Sequence, residues 1–517
     1  MFISTGEGSK SKASRGQLAL LVSAVALNAA GAMIVEIVAG RVLAPYFGMS
    51  LYTWTTVIGV VLAGLALGHW LGGVLADKWA ARSPLMIGMA FWAGAVTTLL
   101  ILPIISAVAG ALSTHTAPVA VSIVVAGSAA FLLPSLTAGL VQPLATTFAL
   151  HLKGHTSGRL IGKMFAAGAV GSILGTFLAG FVLISYLGSA GTIWLVVGLN
   201  ALLGALFIPR IAALIFGATS ACLAAAIAFA QMSIPGFRTP CHQETQYYCI
   251  QIDAADHLSG RPATLMALDH LVHSVNDKDD PEYLFSPYLQ LVDEFARRKF
   301  RSEPISAFFI GGGGYTLPRA WATRNPDNRL TVAEVDPTVT ELARARMGFE
   351  PGPNIHIKAR DARLALAQEH PDTQFDVIFG DAFHDIAIPA HLVSDEFNGL
   401  VRSRLSSNGF YVLNVVDDPR QPRLLASIVR TLQRRFEATE VWVSPRDILG
   451  ASRATFIVYA SARATGSGDT IHASYGPPRL WQRVSVPSLG IEGLGIILTD
   501  DFAPVDRLLA TLWLHGE

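Results

Sequence analysis

Residues 308–336 read FFIGGGGYTLPRAWATRNPDNRLTVAEVD. An apolar run enters a glycine cluster, a helix-compatible stretch follows, and a second apolar run ends in acids. The first run, from Ile305 to Ile310, is unbroken, as expected of a strand buried on both faces. Gly311, Gly312, Gly313 and Gly314 allow backbone to approach a ligand closely. A helix is expected from about Tyr315, with Pro318 tolerated in its first turn. RLTVAEVD is a second strand, and Pro337 opens the next helix at a favoured position. Further on, NIHIKARDA, FDVIFGDAF and GFYVLNVV read as strands three to five, and TEVWVS and ATFIVYAS close the series. Strands alternating with helices predict a doubly wound, Rossmann-like α/β sheet.

In such sheets ligands bind at the carboxyl ends of the strands. Glu334 and Asp336 end strand two, Asp361 and Ala362 follow strand three, and Asp381 ends strand four. An acid about 20 residues past the glycines suits both hydroxyls of a ribose. An acid and a backbone amide after strand three suit an adenine. Acids at these places also cap helices, so one alone carries little; an ordered series after a glycine cluster carries more. A nicotinamide dinucleotide needs a third glycine for close helix packing, and the register here gives Gly311, Gly313 and then Thr316. An S-adenosyl nucleoside has no pyrophosphate and needs no such glycine, so it is the expected ligand.

The rest of the chain is of another kind. It has 517 residues, 51% hydrophobic and only 15% charged, against about 25% charged in soluble domains. The charges are unevenly spread: few fall in 17–232 and most in 235–517. Apolar stretches long enough to cross a bilayer lie near 17–40, 52–76, 84–107, 118–146, 161–186, 189–208 and 211–232. The organisation expected is a polar N-terminus over 1–16, a membrane domain of about seven helices over 17–234, a small β-region with a connecting helix over 235–300, and the Rossmann-like domain over 301–517. The first apolar run continues past Ala32 to about Val38, so it reads as a retained helix rather than a cleaved signal. Pro134 and Pro143 leave the fourth stretch open, as one kinked helix or two short elements. Gly64, Gly68, Gly72 and Ala76 repeat every fourth residue, as do Gly171, Gly175 and Ala179, which predicts close helix packing. Glu36 and His69 are ionisable residues inside apolar helices, and Glu36 has Arg41 nearby as a partner.

Basic residues fall in alternate loops: Lys10, Lys12 and Arg15; Lys78 and Arg82; Lys153 and Arg159; Arg210. This puts the N-terminus in the cytoplasm of a bacterial inner membrane. Seven spans then put 235–517 outside, which conflicts with an enzyme using a cytosolic donor. A formal net charge of zero gives no ground for a nucleic-acid partner. Cys222 sits in an apolar stretch. Cys241 and Cys249 flank HQETQYY, match no familiar zinc spacing, and leave both a disulfide and free thiols open; no metal is expected.

With these residues in view, IGGGGYTLPRAW, AEVDPTV, RDARLAL and FGDAFHDIAIPAHLVSDEF resemble spermidine synthases, the polyamine aminopropyltransferase family. LDHLVHSVNDKDDPEYL, LTDDFAPVDRLL and EIVAGRVLAPYFGMSLYTW resemble the bacterial proteins that fuse a major-facilitator-like membrane half to such a domain, as GGVLADKWAAR resembles a facilitator loop. The resemblance implies decarboxylated S-adenosylmethionine as donor and putrescine or another small amine as acceptor, beside a lipid bilayer, and leaves a homodimer open. It assigns the ribose to Glu334, the adenine to Asp361, and the attacking amine to Asp381. The chain departs from the family where amines are handled. Gly314 and Tyr315 stand where an aspartate normally binds the donor's amine. Phe285 and Ser286 replace a tyrosine-histidine pair, Tyr248 replaces a glutamine, and the second loop acid falls at His384, with Asp385 one place on. His384 and Asp385 are therefore the expected substitutes, with Asp269, His270, Tyr283, Tyr288, Asp500 and Asp501 as secondary candidates. Two other functions stay open: methyl transfer from S-adenosylmethionine, and a non-catalytic nucleoside- or polyamine-binding domain coupled to a transporter-like bundle.

Overall fold

The computed structural model describes residues 15–112, 118–153, 157–233, 240–448, 451–484 and 494–514. The chain divides into two compact units, Met1–Gln246 and Tyr247–Glu517.

The first unit is helical. α1 is Arg15–Phe47, α2 Leu51–Lys78, α3 Ser83–Leu99, α4 Ile101–Leu112 and α5 Val119–Lys153. α6 (Gly158–Leu178) passes through a π-helical turn, Ala179–Leu183, into α7 (Ile184–Phe207), and α8 is Arg210–Ser233. Among the described residues, six helical stretches are long and apolar enough to cross a membrane. The sequence suggests seven because the runs at 161–186 and 189–208 both lie in one 50-residue stretch, Gly158–Phe207. That division falls at Gly188, which is non-helical at φ 67° and ψ 175° and kinks the stretch there. α5 is one helix through both prolines. The Thr137 hydroxyl donates to the Pro134 carbonyl at 2.8 Å, the kind of side-chain contact that tolerates proline in apolar helices.

The small-residue stripes pack as their spacing predicts. A Cβ on Gly68 would run into the Leu136 carbonyl, and one on Gly139 would lie 2.6 Å from the Leu65 carbonyl, so α2 and α5 touch backbone to backbone. Gly171 and Gly175 meet Ala26 and Ala30 of α1 in the same way. His69 is on an exposed face of α2 and Glu36 is half-buried. Arg41 is buried and donates through Nη2 to the Thr245 carbonyl at 2.7 Å. Cys241 and Cys249 are disulfide-bonded and Cys222 is free.

The second unit begins with strands β1 (Cys249–Ala254), β2 (Ala263–Leu268) and β3 (Leu271–Asp277), paired antiparallel in that order. Helix α9 (Pro287–Phe300) leads into the main sheet. Its strands are β4 Ser306–Ile310, β5 Arg329–Glu334, β6 Ile355–Ala359, β7 Phe375–Gly380, β8 Leu405–Asp417, β9 Ala438–Val443, β10 Ala454–Ser461, β11 Thr470–His472 and β12 Leu480–Val484. They lie in the order β11-β12-β9-β10-β8-β7-β4-β5-β6. β6 to β8 form a parallel core centred on β4, and β10 enters antiparallel between β8 and β9. The apolar runs are explained by burial on both faces. Phe309, Val377 and Val412 share one packed cluster with Phe295 and Trp321, while their neighbours Phe308, Ile378 and Tyr411 are just as buried. The strand order reverses direction across β4, which leaves a crevice above the carboxyl ends of β4 and β7, where such sheets bind ligands.

Candidate functional site

Glu334, Asp336, Asp361 and Asp381 stand on that edge, but they do different work. The glycine loop follows β4 and leads into α10 (Thr316–Arg324). Gly311 has φ +96°, and a Cβ there would lie 2.7 Å from the Asp381 carbonyl oxygen. Glu334 turns back into the loop: Oε2 accepts from the amides of Gly312 (2.8 Å) and Gly313 (3.3 Å), and Oε1 from that of Asp336 (3.0 Å). Burial raises the Glu334 pKa, against those three amides. Gly314 donates to Ser274 Oγ at 2.8 Å, and Asn276 donates to the carbonyls of Gly314 and Met347. The loop is therefore shaped by contacts within the protein, ready-made before any ligand arrives.

Asp336 is a helix cap. It is buried and accepts from the Thr338 amide at the start of α11 (Pro337–Arg346). Asp361 caps α12 (Ala362–Ala367) through Leu364 N at 3.1 Å, but its other oxygen, Oδ2, lies 2.8 Å from His391 Nε2. Both of these side chains reach solvent, so Oδ2 is within reach of an incoming donor group. Ala362 is buried at the first position of α12.

Asp381 is the best-supported reactive group. It follows β7 and accepts from Asn414 Nδ2 at 2.8 Å, while the Tyr288 hydroxyl donates to the His273 carbonyl at 3.4 Å. Burial pushes its pKa up to about 7, against the pull of Asn414 and Tyr288. A carboxyl poised near neutrality with an orienting donor has the character of a general base.

His384 and Asp385 do not act together. The His384 side chain is exposed, and its backbone bridges to Ala387. Asp385 points inward in a left-handed conformation, φ 63°. There it meets His270, whose Nδ1 is 3.2 Å from Asp385 Oδ1. Neither oxygen of Asp385 makes a full hydrogen bond. Burial and the neighbouring Asp269 push the Asp385 pKa up to about 8, while burial brings His270 down to about 4. The partnership is thus His270 with Asp385, in a largely uncharged form at neutral pH. Sequence spacing misses it because the two residues come from different strands' ends. Tyr315, where the family's donor-binding aspartate would stand, is fully buried, stacked on Phe349 at 4.0 Å and bonded through its hydroxyl to Thr340. Tyr248 donates to the Phe383 carbonyl at 3.1 Å. Asp500 is held by Arg363, away from this cluster. Asn414, Ser274, Asn276 and His391 are additions from the structure; only Asn414, a polar residue inside an apolar strand, carries a signal in the sequence.

No family model matches the chain. Among curated proteins, 132 residues are 32% identical to the polyamine aminopropyltransferase of Vibrio vulnificus, covering 25% of this chain and 44% of the relative. A probable polyamine aminopropyl transferase of Bifidobacterium longum is 28% identical over 224 residues, 39% of this chain and 48% of the relative. The mouse eEF1A lysine and N-terminal methyltransferase is 29% identical over 141 residues, 26% of this chain and 20% of the relative. The chain thus spans about half the length, or less, of the curated relatives it matches. Among solved structures, a probable spermidine synthase from Corynebacterium glutamicum covers 50% of this chain and 95% of its own, at 21% identity and a TM-score of 0.43. Part of the chain is therefore similar in sequence to polyamine aminopropyltransferases, and the second unit carries a doubly wound α/β sheet.

Proposed function

We propose that the second unit is an S-adenosyl-nucleoside-dependent transferase of the aminopropyl type, carried by a membrane-spanning first unit. The observation that carries the reading is Asp381, held by Asn414 and in backbone contact with the glycine loop through Gly311. In this reading Glu334 and Asp361 receive the ribose and adenine of decarboxylated S-adenosylmethionine. A neutral acceptor amine lies against Asp381. Its nitrogen attacks the carbon beside the donor's sulfonium, a C–N bond forms, the C–S bond breaks, and sulfur keeps the electron pair as a thioether. The amine's surplus proton passes to the Asp381 carboxylate.

Methyl transfer is the second reading, favoured by the burial of Tyr315, which leaves the donor's amine without the usual acid, and by the mouse methyltransferase likeness. Calorimetry on the full chain in lipid nanodiscs separates the two. Preferential binding of decarboxylated S-adenosylmethionine, weakened by Asp361→Ala, supports aminopropyl transfer; preference for S-adenosylmethionine supports methyl transfer. No binding of either by folded protein refutes both.

A further inference from the structure

The helical unit has two ends, and its packing fixes which way each helix runs between them. α1 and α6 run the same way, since Gly171 meets Ala26 and Gly175 meets Ala30. So do α2 and α5, since Gly64 meets Leu132 and Gly72 meets Leu140. α3 and α7 run oppositely: Gly88 lies against Ile208 and Gly94 against Asn200. α1 turns back into α2 through 48–50, with Gly40 against Trp54, and α2 turns back into α3 through 79–82. So α1, α3 and α6 run one way and α2, α5 and α7 the other. The 50-residue stretch Gly158–Phe207 therefore doubles back at its π-helical turn and Gly188. About 20 residues cross a bilayer, so this stretch supplies two crossings. α8 starts where α7 ends and passes Trp92 of α3, on which Phe216 stacks at 6.0 Å. It runs with α3, toward the end opposite to Arg15.

Two contacts show where the chain goes next. Arg41, in the last third of α1, donates through Nη2 to the Thr245 carbonyl at 2.7 Å. The Ser189 amide, one residue past the kink, donates to Glu244 Oε2 at 2.9 Å. Residues 244 and 245 thus lie at the end that holds the α1–α2 link and Gly188. Charge marks the other end. Arg15, Lys78, Arg82, Lys153, Arg159 and Arg210 all fall there, whereas 48–50, 113–118 and 179–188 contain no Lys or Arg. Basic connections of this kind stay in the cytoplasm. Cys241 and Cys249, which bracket residues 244 and 245, are disulfide-bonded. Such bonds persist in oxidising compartments and are rare in the cytoplasm. Helix direction, loop charge and cysteine chemistry are independent of one another and agree.

We infer that the first unit crosses the bilayer seven times and that the second unit works outside the cytoplasm, with Cys241–Cys249 as a resident cross-link formed there. The inference concerns where the second unit acts and not which group it transfers. Joined to the transferase reading above, on which this one consequence rests, it adds a step. The donor's sulfonium is a fixed positive charge, and charge is costly to move through hydrocarbon. A carrier-mediated export reaction must therefore supply the donor, and the acceptor is an amine met outside the cytoplasm.

The test uses the full chain in spheroplasts of a bacterial host, treated with a membrane-impermeant maleimide. Glu303→Cys puts a thiol on an exposed position of the second unit, and Lys153→Cys puts one at the basic end of α5. Labelling of Glu303→Cys in intact spheroplasts, and of Lys153→Cys only after lysis, supports the inference. The reverse pattern overturns it. The parent, alkylated in detergent without reductant, should take one label, on Cys222, and three after reduction; three labels without reductant overturn it. If Glu303→Cys fails to fold, a reporter joined after Glu517 decides the side. An active alkaline phosphatase, which matures only outside the cytoplasm, supports the inference, and a fluorescent green fluorescent protein overturns it.

Discussion

Replacing Asp385 with Asn tests the electrostatics of the candidate site without any assumption about catalysis. Asp385 is 5% exposed, and burial with the neighbouring Asp269 raises its pKa to about 8 from an ordinary 3.8. Between pH 5 and 7 the folded protein therefore holds a proton on Asp385 that the unfolded chain has released. Stability must fall as pH rises through that window, at about 1.4 kcal/mol per pH unit for one proton. Over two units the loss attributable to Asp385 is about 2.7 kcal/mol. Asn has the same shape and no proton to lose, so Asp385→Asn should flatten the slope by that amount. His270, whose pKa is lowered to about 4, has the opposite sign: its folded form resists protonation, so it lowers stability as pH falls below 6.5. That contribution is present in both proteins and cancels in the difference. The assay is hydrogen exchange of the slowest amides in β4 and β7, in the full chain, corrected for intrinsic rates at each pH. Equal pH slopes in parent and variant would refute the assignment of Asp385 as a protonated buried acid.

Three further outcomes follow from contacts already described. On the proposed reading, in which Asp381 faces the acceptor, Asp381→Asn should leave donor-nucleoside binding within about twofold while abolishing turnover; calorimetry and a product assay on one preparation read both. Gly311→Ala should destabilise the second unit by about 2–4 kcal/mol, because φ +96° is strained for alanine and the added Cβ meets the Asp381 carbonyl; the same exchange experiment measures it. His391→Ala frees Asp361 Oδ2 and should tighten donor-nucleoside binding about tenfold, the worth of one competing hydrogen bond to a charged group; unchanged affinity would place the adenine elsewhere.

Much of the α/β unit is legible in the chain because its signals are local. An unbroken apolar run has few alternatives to a doubly buried strand, and β4 and β7 lie where FFI and FDVIFG indicate. The helix stripes on α2 and α6 are equally plain, since glycine every fourth residue has one geometric use. The site is less legible because its partnerships are tertiary. Asp336 and Asp361 both satisfy the helix-cap reading, and nothing in the sequence says that Asp361 keeps a second oxygen on an open face. His384 and Asp385 are neighbours in sequence, but the left-handed turn at Asp385 sends their side chains apart and delivers Asp385 to His270. In the helical unit, the apolar runs 161–186 and 189–208 part at Gly188, where the helix is interrupted, whereas Pro134 and Pro143 leave open a break that α5 does not make.

The meeting of Gly311 with the Asp381 carbonyl has a kinetic consequence. The loop that would grip the donor and the backbone that carries the base are in van der Waals contact with no slack, since even a methyl group would not fit between them. Any shift of the loop as a donor enters is passed to Asp381 as displacement, with the Asn414 bond as its tether. Two-substrate kinetics should then be sequential and ordered, donor before acceptor, with the acceptor's apparent affinity depending on which donor analogue already sits in the loop.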